Sequence, residues 1–268
     1  LDIAMWDLMS RKAGLPLCRA LNPDAPLSVP VYASGIQIDD ASSMIPAARD
    51  AGFSAFKVKV GFDSKIDAEK LCALKQDLHP TERLMADANQ GWTVDEATNF
   101  LKTIIDIDLT WLEEPIRADA AKDAWQQLAT NYNTPLAGGE NLLGDAAFTR
   151  AIDDGYLGVI QPDAAKWGGV TGCFDIGSRV RDAGRLYCPH FLGAGVGLLA
   201  SGHILAAVGG DGMLEIDANP NPLRSDMCPG WPHVNSGMVS LPDAPGLGIA
   251  PALDNFEQYC VYEETKQV

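Results

Sequence analysis

Positive charge is scarce in this sequence. Lys and Arg number 20 against 36 Asp and Glu, a formal net charge of −16 over 268 residues. That balance argues against nucleic acid and anionic membrane as partners. No run reaches the roughly 18 consecutive apolar residues of a membrane span, and no secretory leader opens the chain. Cysteine is sparse and scattered. Cys18, Cys72, Cys173, Cys188, Cys228 and Cys260 form no CxxC pair and no disulfide framework, so reduced thiols in a cytoplasm are expected. A GxGxxG motif after the first apolar run is also lacking, which counts against a dinucleotide-binding sheet. The chain opens at Leu1 inside what reads as a helix, so a preceding segment is expected.

What is present suits one large α/β domain, with 47% hydrophobic and 21% charged residues. Short β-branched or apolar runs at 28–34, 55–60, 83–89, 109–115, 135–141, 159–164, 186–190 and 213–217 read as strands. Amphipathic segments at 39–51, 63–78, 93–104, 119–131, 144–154, 169–183 and 195–207 read as the helices between them. Strand–helix alternation at this spacing predicts a parallel sheet, and eight strands predict a closed (β/α)₇β barrel, a modified TIM barrel. The expected organisation is a lead-in helix and connection over 1–27, a catalytic barrel over 28–230, and an extension over 231–268. Both ends fall outside the repeat, and each is expected to dock on the barrel or on a further domain.

Polar residues inside the apolar runs carry the chemistry. Lys57 and Lys59 share one strand face, as do Asp87 and Asn89. Glu113 and Glu114 end the fourth strand and Glu140 the fifth. Asp163 ends the sixth, His190 the seventh, and Glu215 lies in the eighth. One βα unit separates each from the next, so each strand delivers a group to its C-terminal end, where barrel active sites form. A carboxylate at a strand end is ordinarily a cap or an ion-pair partner. Three in register, Asp87, Glu113 and Glu140, suit a hard cation such as Mg²⁺, and their carboxyl groups are expected to converge within one metal's reach. Glu113 and Glu114 point to opposite faces, so one of them is the ligand, and spacing does not say which.

Two in-phase lysines on a central barrel strand face the interior. There, a neighbouring cation is expected to lower a lysine's pKa and prepare it as a base, with Lys59 as one acid/base and Lys57 tuning it or touching the substrate carboxylate. Asp163 beside His190 would fix the imidazole tautomer for acid–base work. Together these groups suit abstraction of the proton next to a carboxylate. The product enediolate carries two negative oxygens, and a bound Mg²⁺ would stabilise that charge.

The motifs resemble the enolase superfamily and, within it, the mandelate racemase subgroup, over essentially the whole chain. Asp2–Ile3–Ala4–Met5–Trp6–Asp7 is similar to the helix before that family's barrel. Lys57–Val58–Lys59 resembles its KxK base motif. Asp87–Ala88–Asn89, Trp111–Leu112–Glu113–Glu114–Pro115 and Gly139–Glu140–Asn141 resemble its three metal-ligand motifs. The resemblance implies Glu113 as the ligand of its pair. Muconate-lactonizing and dipeptide-epimerase relatives carry a lysine three residues before the base of Lys166–Trp167–Gly168–Gly169. Asp163 stands there instead, which implies the His–Asp subgroup. Glu215 is similar to an eighth-strand glutamic acid that, protonated, would hydrogen-bond a substrate carboxylate, although Asp217 is in phase with it.

The resemblance implies a cytoplasmic homo-oligomer acting on a small carboxylate, with Asn89, Asn141, Gln161 and Lys166 as substrate contacts. It also implies an N-terminal capping domain that this chain does not include. The expected reaction is acid-sugar dehydration by a carbon–oxygen lyase. Racemisation or epimerisation by 1,1-proton transfer is the alternative, and a catalytically silent binding barrel is a third reading.

Overall fold

The computed structural model describes residues 1–250, 252, 254, 257 and 260–262. The polar end of the chain, 263–268, lies outside the described residues. Two helices lead in, α1 (Asp2–Ala13) and α2 (Leu17–Leu21). Eight strands then alternate with seven helices. In order they are β1 (Ser28–Gln37), α3 (Ala41–Asp50), β2 (Ala55–Lys59), α4 (Ser64–Asp77), β3 (Arg83–Asp87), α5 (Val94–Thr103), β4 (Leu112–Glu113) and α6 (Lys122–Asn131). They continue with β5 (Leu136–Gly138), α7 (Asp145–Asp154), β6 (Val159–Ile160), α8 (Gly169–Asp182), β7 (Leu186–Tyr187), α9 (Gly195–Val208) and β8 (Leu214–Asp217). A short helix α10 (Pro222–Ser225) and strands β9 (Val234–Asn235) and β10 (Met238–Ser240) follow.

Strands β1 to β7 pair in sequence order, all parallel, and β8 pairs in parallel with β1. The ring closes where the Met213 N–H donates to Cys188 Sγ at 3.3 Å. β10 adds antiparallel to the start of β1 and β9 pairs with β10, so residues 234–240 extend the sheet at the entry to the barrel.

Side-chain alternation along the strands builds the interior in rings. The floor takes one residue from each strand or its flank: Tyr32, Ala55, Met85, Trp111, Ala137, Val159, Cys188 and Met213, all buried. Two residues further along each strand, period-2 geometry stacks the next ring. That ring is Ser34, Lys57, Asp87, Glu113, Gly139, Gln161, His190 and Glu215. Apart from Gly139, its members are buried polar or charged residues, so the change from apolar floor to polar ring marks where packing gives way to chemistry.

Regular pairing is shorter than the apolar runs suggest. β4 stops at Glu113 because Glu114 turns to φ 39 ahead of Pro115, and β3 stops at Asp87 because Asn89 and Gln90 take φ 45 and 61. Left-handed backbone of this kind is costly for non-glycine residues and concentrates at functional sites. The lead-in helix is bolted to the same end of the barrel. The Trp6 indole N–H donates to Thr171 Oγ1 at 2.8 Å, and Asp2 accepts from the Thr171 backbone N–H at 3.1 Å, fixing the first turn of α8. Among the described residues no helix is long and apolar enough to cross a membrane.

Candidate active site

The ring and the strand ends above it form one connected charge network. The Lys57 ammonium is buried between two carboxylates, 2.7 Å from Glu113 Oε2 and 2.7 Å from Glu215 Oε1, and stands 3.8 Å from Asp87 Oδ2. Lys59, two residues on, reaches Asp87 Oδ2 at 2.6 Å. Asp87 Oδ1 accepts the Asn89 backbone N–H at 2.8 Å. Across the barrel, His190 Nδ1 is 2.8 Å from Asp163 Oδ2, and His190 Nε2 faces Glu140 Oε2 at 3.2 Å and Glu215 Oε2 at 3.8 Å. Asp163 is itself held, since its Oδ1 accepts the backbone N–H groups of Ala165 at 2.7 Å and Lys166 at 3.2 Å. The Lys166 ammonium pairs with Glu140 Oε2.

These groups are adjacent, but the three expected ligands do not converge as expected. Among the described residues, no three His, Cys, Asp or Glu are grouped to hold a metal ion as the side chains stand. The reason is charge. Asp87, Glu113 and Glu140 repel one another, and each settles on the nearest ammonium: Lys59, Lys57 and Lys166 respectively.

Burial alone would lower the Lys57 pKa, but the Glu113 and Glu215 carboxylates outweigh it and hold the ammonium well above the usual lysine value. Lys57 is thus a buried cation two residues from Lys59, held by two acids. Burial would likewise raise Glu215, but Lys57 and His190 pull it down to about 2. Glu215 is thus ion-paired with Lys57 and faces His190. Its Oε2 also accepts the Phe191 backbone N–H at 3.0 Å. Asp217, in phase with it, instead accepts from Asn219 and lines a cavity of about 1120 Å³ outside the barrel, between α3, α10 and residues 230–235. That cavity shares no other residue with the charge network.

Glu113 and Glu114 separate as the alternation requires. Glu113 points into the ring, where burial and then Asp87 raise its pKa to about 7. The Glu114 carboxylate turns outward beneath Trp125, Tyr156 and Leu157 and takes both its hydrogen bonds from Asn141 Nδ2, at 2.8 and 3.1 Å. Burial and then Glu140 raise it to about 7. For His190, burial disfavours the cation, but the Asp163 hydrogen bond together with Glu215 and Glu140 raises its pKa above the usual value. The resting imidazole thereby leans towards the protonated form.

Three of the four expected substrate contacts have side-chain partners in the protein. Gln161 Nε2 donates to Glu113 Oε2 at 2.7 Å, Asn141 holds Glu114, and Lys166 holds Glu140. Asn89 is exposed above Asp87. Sequence reasoning missed Trp111, whose indole N–H donates to Glu113 Oε2 at 3.3 Å, and Tyr32, whose ring lies 5.4 Å from Lys57 Nζ. Counting back two residues from Lys57 and Glu113 along the alternation would have placed Trp111 directly beneath the site.

Comparison with known proteins agrees with this architecture. Residues 41–255 match the family described as enolase C-terminal domain-like. The D-galactarolactone cycloisomerase of Agrobacterium fabrum is 30% identical over 264 residues, covering 93% of this chain and 70% of that protein. A mandelate racemase/muconate lactonizing enzyme from Bordetella bronchiseptica RB50 superimposes with a TM-score of 0.93 at 44% identity, over 97% of this chain and 72% of that one. The L-talarate dehydratase of Polaromonas sp. JS666, solved with Mg and L-glucarate, superimposes with a TM-score of 0.81 at 28% identity, over 94% of this chain and 69% of that one. Homologues of the chain are acid-sugar cycloisomerases and dehydratases, together with epimerases. The chain belongs to the enolase superfamily, as an enzyme of the mandelate racemase/muconate lactonizing type built on an enolase C-terminal domain-like barrel.

Proposed function

We propose that this enzyme removes the proton next to the carboxylate of an acid sugar and expels the hydroxyl on the following carbon, giving a 2-keto-3-deoxy acid. The observation that carries the reading is the His190–Asp163 pair at 2.8 Å, nearly across the barrel from Lys59 and with its free nitrogen turned inwards. A base and an acid on opposite sides are what an elimination requires.

Asp87, Glu113 and Glu140 would hold Mg²⁺. The donor set fits a hard divalent ion. Six buried or nearly buried carboxylates, those of Asp87, Glu113, Glu114, Glu140, Asp163 and Glu215, share only Lys57, Lys59, Lys166 and His190 as cations. When bound, the ion would supply Lewis-acid stabilisation of charge on the substrate carboxylate. Magnesium is present in the related L-talarate dehydratase structure.

Lys59, released from Asp87 and having given its own proton to solvent, takes the C2 proton as the neutral amine. The electron pair moves towards the carboxylate, then forms the C2–C3 double bond as the C3–O bond breaks. His190 Nε2 gives its proton to the departing oxygen, which leaves as water, and the enol becomes the 2-keto acid. Asp163 holds the imidazole in place throughout. Lys57, locked between Glu113 and Glu215, keeps the ring compact and limits its negative charge.

The same two groups on opposite faces also serve 1,1-proton transfer, and an epimerase is among the relatives. The test is incubation of the protein with Mg²⁺ and a panel of acid sugars in deuterated water. A 2-keto-3-deoxy product supports dehydration. Deuterium at C2 of recovered substrate would replace that reading with racemisation. Neither product nor exchange across the panel would leave a binding barrel. A cytoplasmic homo-oligomer accompanies the proposal, and light scattering of the purified protein checks the assembly.

A further inference from the structure

Glu113 is the most heavily hydrogen-bonded carboxylate of the ring, and its donors are arranged unevenly. The Lys57 ammonium at 2.7 Å, the Gln161 carboxamide at 2.7 Å and the Trp111 indole at 3.3 Å all fall on the same oxygen, Oε2. They come from three different strands or strand flanks, and each is itself immobilised. Lys57 is locked by Glu215. Trp111 packs edge-on against Tyr32, with ring centroids 5.4 Å apart at 85°. Gln161 follows β6, where its backbone N–H donates to the Gly138 carbonyl at 2.9 Å.

Gln161 shows a second feature. Its side chain is buried, its amide N–H serves Glu113, and its carbonyl oxygen Oε1 is buried with no hydrogen-bond partner. An unpaired buried acceptor is destabilising, and an apolar residue of similar size would avoid it. The amide cannot turn over to relieve this, because its carbonyl would then face the Glu113 carboxylate. The hydrogen bond that this side chain makes among the described residues is its contact with Glu113.

We propose that Gln161 and Trp111 are positioning residues for Glu113. By loading one carboxylate oxygen with neutral donors beside Lys57, they fix the rotamer and leave the other oxygen to the divalent cation. This rests on the reading of Glu113 as a metal ligand. Of the carboxamide expected to contact substrate, the N–H is committed to Glu113 and the carbonyl oxygen remains for a substrate. Outer contacts of this type orient ligands before the ion arrives, and their loss weakens metal binding by about 10- to 100-fold.

The test is Mn²⁺ titration followed by the electron paramagnetic resonance of the free ion, with thermal denaturation of the same metal-free samples. Gln161→Met is expected to weaken Mn²⁺ binding by about 10- to 100-fold, while its melting temperature moves little, because the lost donor to Glu113 and the lost unpaired carbonyl act in opposite directions. A merely structural glutamine would give a lower melting temperature with unchanged Mn²⁺ affinity, which overturns the proposal. Trp111→Phe, which removes one longer hydrogen bond and keeps an aromatic ring over Tyr32, is expected to weaken binding by a smaller factor. Should Gln161→Met fail to fold, unchanged Mn²⁺ affinity in Trp111→Phe overturns the proposal instead. Glu113→Gln separates the two levels. If it binds Mn²⁺ as tightly as wild type, the metal reading of Glu113 fails, and the positioning role fails with it.

Discussion

Replacing Lys57 by methionine tests the charge network at its centre. The lysine is buried, with two carboxylates at 2.7 Å and a third at 3.8 Å. Methionine keeps most of the volume over Tyr32 and removes the charge. Stripping one partner from a buried ion pair leaves an uncompensated charge and typically costs about 3–5 kcal/mol. The lower end applies here, because Glu113 already has its pKa near 7 and can take up a proton once the lysine has gone. About 3 kcal/mol in a chain of this size lowers the melting temperature by about 6–12 °C.

The pH dependence carries the stronger constraint. In the wild type, Glu215 is held down to about 2 against an ordinary 4.5. Its contribution is therefore complete above 4.5 and is lost as pH falls towards 2. In the variant that contribution disappears, and Glu113 is raised further. Between pH 4.5 and 8 the folded variant then binds more protons than the unfolded chain, so its stability rises as pH falls. The deficit relative to wild type should be largest at pH 8 and shrink towards pH 5, read as paired melting curves by circular dichroism. A deficit that stays constant or grows on acidification would refute the account of Lys57 as the counter-charge of this ring.

The remaining predictions concern the acid, the metal, the backbone and the core. Asp163→Asn removes the charged hydrogen-bond partner that raises the His190 pKa, and should lower product formation by about 10²- to 10⁴-fold with Mg²⁺ affinity unchanged. Because Glu113 sits near 7 by burial and by Asp87, added Mg²⁺ should raise the melting temperature more at pH 8 than at pH 6, and equal shifts at both pH values would count against Glu113 as a ligand. Gly139 adopts φ 148, and a Cβ there would stand 2.6 Å from the Gln161 backbone N. Gly139→Ala should therefore destabilise by more than about 1 kcal/mol in urea titrations. Burial lowers the core His203 to about 4. It stays neutral when folded, so stability should fall by up to about 3 kcal/mol as pH drops from 6.5 to 4, and His203→Gln should flatten that slope.

Much of this was legible because a barrel converts sequence spacing into geometry directly. Lys57, Asp87, Glu113, Gln161, His190 and Glu215 share one ring because each lies two residues beyond a floor residue on its own strand. That relation needs only the alternation of a strand and the register of neighbours, such as Lys59 with Asp87 and Asp87 with Glu113. Which side chain answers which could not be read the same way. The spacing left Lys57 to tune Lys59 or to touch a substrate carboxylate, and only the distances show that Glu113 and Glu215 both claim it. Asn141 has the inward phase, yet it holds Glu114, because Glu114 leaves the strand at φ 39.

Glu140 is the sharpest case. Ala137 and Gly139 have the inward phase on β5, so simple alternation would send Glu140 to the outside. The backbone at Gly139 instead turns through φ 148 where it passes the chain of Gln161, and Glu140 arrives 3.2 Å from His190. The spacing of Glu140 in the sequence points to the ring, where the structure places it beside His190, while its phase points outward. A glycine just before an off-phase carboxylate at a strand end is the local signature of that reversal, since only glycine tolerates both the positive φ and the close approach of the next strand. Substituting Gly139 should accordingly disturb Glu140 and Gln161 together, which couples the fifth-strand ligand to the residue that orients the fourth-strand one.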